Sequence, residues 1–145
     1  MHVVWLKRDL RIDDHAPLWE ASRLCAQGGR MVALYVYEPE VWWAADADAS
    51  QLAFVDESLD ALEPLLAARG GRLVRRVGEM TEVLGELSRC EAVESILAHE
   101  ETGNGVTYMR DLRVARWCRR HSVPLRVWRQ HGVFRPTVDR DGWAE

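Results

Sequence analysis

Short apolar runs recur along this chain, and between them lie longer segments whose apolar positions repeat at helical spacing. That alternation is the tightest constraint on the fold, because strands separated by helical segments form βαβ units and a parallel sheet. His2–Lys7 (HVVWLK) reads as a buried strand, ended by the charged stretch Lys7–Asp14. Met31–Tyr37 (MVALYVY) is nearly all apolar, the mark of a strand covered on both faces. Arg72–Val77 alternates more weakly and suits a sheet edge, Ser95–Ala98 leads into a buried strand ending at His99, and Pro124–Trp128 supplies a fifth.

Four helices fill the gaps. Pro17 opens the first, Leu18, Ala21 and Cys25 give it an apolar edge, and Gly28-Gly29 stop it. After a turn at Glu38-Pro39, Ser50 caps the longest helix, in which Leu52, Val55, Leu59, Leu62 and Leu66 fall on one stripe before Gly70-Gly71. Pro64 sits late in that stripe and is expected to kink or shorten the helix. Met80, Val83, Leu84 and Leu87 make a third helix; Thr107–His121 makes a fourth, with Leu112, Ala115 and Cys118 inward and its arginines outward. Right-handed crossovers put helices on both faces. The expected fold is therefore a Rossmann-like, doubly wound, five-stranded parallel α/β sheet of order 3-2-1-4-5. It forms one domain over residues 1–131, followed by an irregular tail or linker start at 132–145.

Composition agrees with one soluble globular domain: 145 residues, 48% apolar and 29% charged. No apolar run reaches the ~18–20 residues of a membrane span, and charge at residue 7 breaks any signal-peptide core, so the expected location is cytoplasmic. Cys25, Cys90 and Cys118 are scattered, odd in number and outside any CxxC pair, which suits reduced, mostly buried thiols. Charge is uneven: residues 38–101 hold fifteen acids against five arginines, and residues 107–138 hold eight arginines against Asp111 alone. Arg110, Arg113, Arg116 and Arg120 form one basic stripe that would suit nucleic acid. Against that reading, the chain is acidic as a whole and no aromatic platform accompanies the stripe.

In an open α/β sheet, ligands bind beyond the carboxyl ends of the strands where strand order reverses. For this order the crevice lies between the loops after the first and fourth strands, Lys7–Asp14 and His99–Thr107. Lys7, Arg8, Asp9, Arg11, Asp13 and Asp14 then face His99, Glu100, Glu101 and Asn104, a setting for a heterocycle with hydrogen-bond donors and acceptors. The competing reading pairs these charges with one another to pin the loops. No phosphate loop, GxGxxG, G-x-S-x-G or HExxH motif occurs. His15, His99, His121 and His131 are too dispersed to argue for a metal, and Glu100/Glu101 would point to opposite faces, so neither a metal site nor a catalytic residue is assigned.

Val3-Val4-Trp5-Leu6-Lys7-Arg8-Asp9-Leu10-Arg11-Ile12-Asp13-Asp14-His15-Ala16-Pro17-Leu18 resembles the opening of DNA photolyases and cryptochromes, an apolar strand ending in Trp that runs into an R-D-L-R-x-x-D core. Ala33–Pro39 is similar to that family's second strand and following turn, and Tyr108-Met109-Arg110-Asp111 to the Arg-Asp step of its fourth helix. The resemblance spans residues 2–136. It implies an N-terminal α/β domain that binds or covers an antenna chromophore, a folate, deazaflavin or flavin. Catalytic FAD, electron-transfer tryptophans and the DNA-lesion pocket would lie in a helical C-terminal domain absent from these residues, with DNA reached only through it. That domain would serve light-driven repair or blue-light signalling. Tyr37, Glu38 and Arg110, from the matched motifs, join Lys7, Arg8, Asp9, His99, Glu100, Glu101 and Asn104 of the crevice as the candidate cofactor-binding set. The sequence departs from the family at His15, where Asn is common, and in the loop from His99 to Asn104, which leaves the antenna type open. A different reading is a free-standing nucleotide-binding module of the universal-stress type, although no glycine-rich phosphate loop follows the fourth strand. The seven tryptophans read as core or docking residues, with Trp42-Trp43 in an exposed turn.

Overall fold

A computed structural model describes residues 1–130. In chain order it comprises β1 (His2–Leu6), α1 (Ala16–Cys25), β2 (Met31–Tyr37), α2 (Pro39–Trp42) and α3 (Ala49–Ala67). β3 (Leu73–Val77), α4 (Met80–Cys90), β4 (Ser95–His99), α5 (Gly105–Arg120) and β5 (Leu125–Trp128) follow. The five strands form one parallel sheet of order β3-β2-β1-β4-β5, as the apolar content of the runs predicts. Trp5 of the central strand registers with Leu34 on one side and Ala98 on the other.

Successive side chains of a strand point to opposite faces, and β1 divides accordingly. Val3 and Trp5 join Leu34, Ile96, Met80, Leu84, Val114 and Trp117 in a core under α4 and α5. Val4 and Leu6 join Tyr35, Leu97, Ala21, Leu59 and Leu62 in a second core under α1 and α3. Both faces of the sheet are covered, so β1 is buried throughout. Gly28 and Gly70, after α1 and α3, take positive φ values of 94° and 76°, which closes each helix at little steric cost.

Several local expectations need correction. Asp48, not Ser50, caps α3: its carboxylate accepts the Ser50 N–H at 2.8 Å, and Gln51 reaches back to the Asp48 N–H. Pro64 does not shorten that helix, which continues to Ala67. The segment after Glu38 is a short helix rather than a turn, because Pro39 pre-sets its first φ. On α5, Leu112 faces solvent while Thr107, Arg110, Val114, Trp117 and Cys118 are buried, so neither the inward leucine nor the outward Arg110 holds. Cys118 is buried and Cys25 half-buried, but Cys90 is exposed. The tail at 132–145, with His131 before it, lies outside the described residues. Among the described residues no helix is long and apolar enough to cross a membrane.

Candidate functional site

Because all five strands are parallel, the loops after β1, β2 and β4 meet at one edge of the sheet. Charge collects there in an interior setting. Arg110, on the second turn of α5, sends its guanidinium beneath the sheet edge to Glu38 Oε2 at 3.2 Å, to Asp111 Oδ1 at 2.9–3.0 Å, and to Glu101. Lys7 Nζ reaches Asp111 Oδ2 at 3.2 Å, and Arg8 Nε reaches Glu101 Oε1 at 3.0 Å. The Trp5 ring lies near both inner cations, with Lys7 Nζ at 4.3 Å and the Arg110 guanidinium at 4.9 Å from its centroid. Glu38 also holds a neighbouring helix, since its Oε1 accepts the Met80 N–H at 3.2 Å and so anchors the start of α4.

The electrostatics follow from burial and pairing. Burial pushes the Lys7 ammonium below its ordinary pKa, although Asp111 opposes the shift. Burial pushes the Glu38 carboxyl up, against the attraction of Arg110. Burial alone would lower the Arg110 pKa, but Asp111, Glu101 and Glu38 outweigh it and keep the guanidinium charged.

Among the described residues two hollows open from this edge, where the sequence predicts one crevice. The larger, about 660 Å³, sits on the β1–β2 side beneath α2 and α3. Trp5, Tyr35, Glu38 and Arg110 line its inner part, Trp42, Phe54 and Val55 its wall, and Arg8, Arg11, Asp46 and Asn104 its polar remainder. Asn104 caps α5 through the Thr107 N–H and donates to both carboxylate oxygens of Asp46 at 2.8–3.0 Å, tying two loops together. The smaller hollow, about 100 Å³, lies between the loops after β1 and β4, against Asp9, His99, Glu100 and Thr102. Lys7, Arg8 and Glu101 border both.

The candidate residues therefore divide. Glu38, Asn104 and Arg110 belong to the large hollow; Asp9, His99 and Glu100 to the small one. Tyr37 borders neither: its hydroxyl donates to Asp56 at 2.5 Å. Asp13 and Asp14 border neither. Glu101 turns inward to Arg8 and Arg110, whereas Glu100 lies 3.7 Å from Arg129, so the two glutamates diverge as their adjacency predicts. The aromatic wall of Tyr35, Trp42 and Phe54 is not among the residues the sequence motifs single out for the site. Its signal was Phe54, an aromatic off the apolar stripe of an amphipathic helix, which is 69% exposed. Trp43 is 85% exposed. The basic stripe is broken, since Arg110 is buried and Arg113 pairs with Glu79 and Glu40.

The histidines also depart from expectation. His15 and His99, set apart in the sequence as too dispersed, lie with ring centroids 4.5 Å apart around buried Asp9. His99 Nδ1 is 2.7 Å and His15 Nε2 2.9 Å from Asp9 Oδ2, while Asp9 Oδ1 accepts the Lys7 N–H at 2.8 Å. Burial would raise the Asp9 carboxyl; the His15 imidazole, the Lys7 N–H and His99 prevail and hold it well below the carboxylate range.

A family model described as DNA photolyase matches residues 2–141. The chain belongs to the DNA photolyase family. It is 41% identical over 69 residues to a deoxyribodipyrimidine photo-lyase of Salmonella typhimurium, covering 48% of this chain and 14% of that protein. It is 30% identical over 107 residues to a blue-light photoreceptor of Arabidopsis thaliana, covering 70% of this chain and 23% of the photoreceptor. Among solved structures, an archaeal photolyase from Sulfolobus tokodaii, determined with two FAD molecules, superposes with a TM-score of 0.73 at 20% identity. That match covers 89% of this chain and 29% of the other, and establishes likeness of fold. The chain thus spans less than a third of the length of these photolyase-family proteins. Family membership disfavours the universal-stress reading.

Proposed function

We propose that this photolyase-family domain binds an antenna chromophore, a flavin, deazaflavin or folate, in the large hollow at the carboxyl edge of its sheet. The observation that carries this reading is the hollow itself. Its 660 Å³ fall within the roughly 300–1,000 Å³ of small-molecule sites, and aromatic walls stand opposite a few converging polar groups. A planar ring system would stack against Trp42 and Phe54, and its polar edge would meet Arg8, Arg11 and Asn104. The inner charges are already paired with one another, so the pocket offers hydrogen bonds rather than a bare cation to such a ring. The archaeal relative solved with two FAD molecules supplies precedent for a second flavin in a photolyase. When bound, the chromophore would collect light; this chain's residues would hold its ring and keep water from one face.

The energy acceptor would be FAD in a C-terminal helical domain of the same polypeptide, with residues 1–131 as the antenna domain and 132–145 as the start of the linker. DNA would be met through that second domain, for light-driven repair or blue-light signalling. The protein would work in the cytoplasm.

Equilibrium dialysis against FMN, FAD, a deazaflavin and methenyltetrahydrofolate tests the reading. One of these is expected to bind in a single equivalent, and Phe54→Ala and Arg8→Ala, both at exposed side chains, are each expected to weaken it about tenfold without unfolding the domain. Failure of all four ligands, or binding indifferent to both substitutions, would remove the hollow from consideration.

A further inference from the structure

Apart from the chromophore hollow, the geometry points to a mononuclear site for a divalent transition-metal ion of the zinc type, held by Asp9, His15 and His99. Three elements converge on it: the loop after β1 gives Asp9, the residue capping α1 gives His15, and the last residue of β4 gives His99. One ligand atom from each lies within 4.8 Å of the others, and all three residues are buried. Two imidazoles and one carboxylate are the donor set that borderline divalent cations take, with an open position left for water. The small polar hollow borders Asp9 and His99, and at about 100 Å³ it has room for that water.

A second observation singles out the site. His15 Nε2 is fully buried and stands 2.9 Å from Asp9 Oδ2, an ion-pair separation at which it still lacks a well-directed hydrogen bond. Buried polar atoms are nearly always satisfied, so one aimed at a carboxylate and an imidazole needs an explanation. A metal supplies it. The Lys7 N–H fixes Asp9 Oδ1, the kind of outer hydrogen bond that orients metal ligands, and Oδ2 faces both imidazoles, where the ion would take the place of their direct contacts with it. Ligand atoms around a tetrahedral zinc sit roughly 3.3 Å apart for bonds of about 2.0 Å. The present 2.7 and 2.9 Å separations therefore need to open by about half an ångström.

Binding carries a specific local consequence. His15 Nδ1 accepts the Leu18 N–H at 3.2 Å, which caps α1 and leaves the ring proton on Nε2. A metal on Nε2 moves that proton to Nδ1, where it faces the Leu18 N–H, and a metal on His99 Nδ1 likewise moves to Nε2 of that ring the proton now donated to Asp9 Oδ2. Loading the site must therefore release the cap, and the Leu18 amide reports it.

The test uses the full chain, stripped with a chelator and titrated with Zn²⁺ against a chromogenic competitor, with Co²⁺ as the spectroscopic probe. Expected are one tight equivalent, visible Co²⁺ d–d bands, and at least a tenfold loss of affinity in His15→Asn and in His99→Gln. Asparagine is itself a good N-cap, so His15→Asn removes the ligand while keeping α1, as circular dichroism would verify; it decides the matter if His99→Gln fails to fold. Zn²⁺ is also expected to speed hydrogen exchange at the Leu18 amide. Absence of a tight equivalent, or an affinity unchanged by His15→Asn, overturns the proposal and assigns any residual binding to surface acids. Flavin, deazaflavin and folate play no part in the assay, so it stands or falls separately from the chromophore reading.

Discussion

Arg110→Met is the most informative single substitution for the charged interior. The side chains of Arg110, Glu38 and Glu101 are 6%, 5% and 7% exposed, so removing the guanidinium strands the Glu38 carboxylate in a dry setting and leaves Glu101 with the exposed Arg8 alone. Breaking a buried ion pair from one side costs about 3–5 kcal/mol, because the remaining charge loses its partner but not its desolvation penalty. For a domain of this size that corresponds to a fall of roughly 6–20 °C in Tm. Methionine keeps the length of the stem, so packing against Trp5 is largely retained. The pH dependence then separates electrostatics from packing. Burial already raises the Glu38 pKa, and Arg110 is the leading attraction opposing the rise. Without Arg110 the folded pKa climbs further above its unfolded value, and the native state binds more protons than the unfolded state. Stability must then fall with rising pH and recover as pH drops. Urea unfolding of parent and variant between about pH 5 and 8 should show the deficit shrinking on acidification. Adding Glu38→Gln and Glu101→Gln to Arg110→Met should restore a large part of the loss. A deficit under about 1 kcal/mol, the value of a surface pair, or one independent of pH, would refute the buried-network account.

Trp5→Ala should cost about 3–5 kcal/mol in urea unfolding, since the ring fills the core under α4 and α5; near-parental stability would overturn its core assignment. Alkaline stability should decline as well. Burial pushes the Cys118 thiol up to about 11, and burial with Asp56 pushes the Tyr37 phenol to about 12, above the unfolded values of 9.0 and 10.0. Their contributions are complete below the unfolded values and are lost as pH rises through the folded ones, so urea midpoints should drop between about 9 and 12. Unchanged midpoints across that window would contradict the shifts.

The sheet was legible because its strands differ in what covers them. Val3-Val4-Trp5-Leu6 and Ile96-Leu97-Ala98 are apolar without alternation and lie in the middle; Arg75-Arg76 interrupts β3, which lies at an edge. The phase of α5 was harder. Its buried stripe, Thr107, Arg110, Val114, Trp117 and Cys118, follows helical spacing and stands in the sequence, but an arginine at its second position hides it. An outward position for every charge rotates the expected helix and places Leu112 inside, where the structure has it exposed. Asp48 lost to Ser50 as the cap of α3 for a similar reason, since both are good caps and only the path of the preceding loop distinguishes them.

What the sequence could not display is pairing across distance. Lys7, Arg8 and Arg110 balance Glu38, Glu101 and Asp111 through contacts spanning up to 104 residues, and the balance exists only once the ends of β1, β2 and β4 are side by side. The expectation that these loop charges pin one another and the expectation that they line a binding crevice are therefore not rivals. Of these groups Lys7, Glu38, Glu101 and Arg110 line the large hollow with Arg8 at its rim, and their pairing holds that lining in place. A chromophore bound there as proposed would be selected by hydrogen-bond pattern and ring shape more than by net charge. Changing a rim residue such as Arg8 should then alter ligand preference at small cost to the fold, whereas changing Glu101 or Arg110 damages both together.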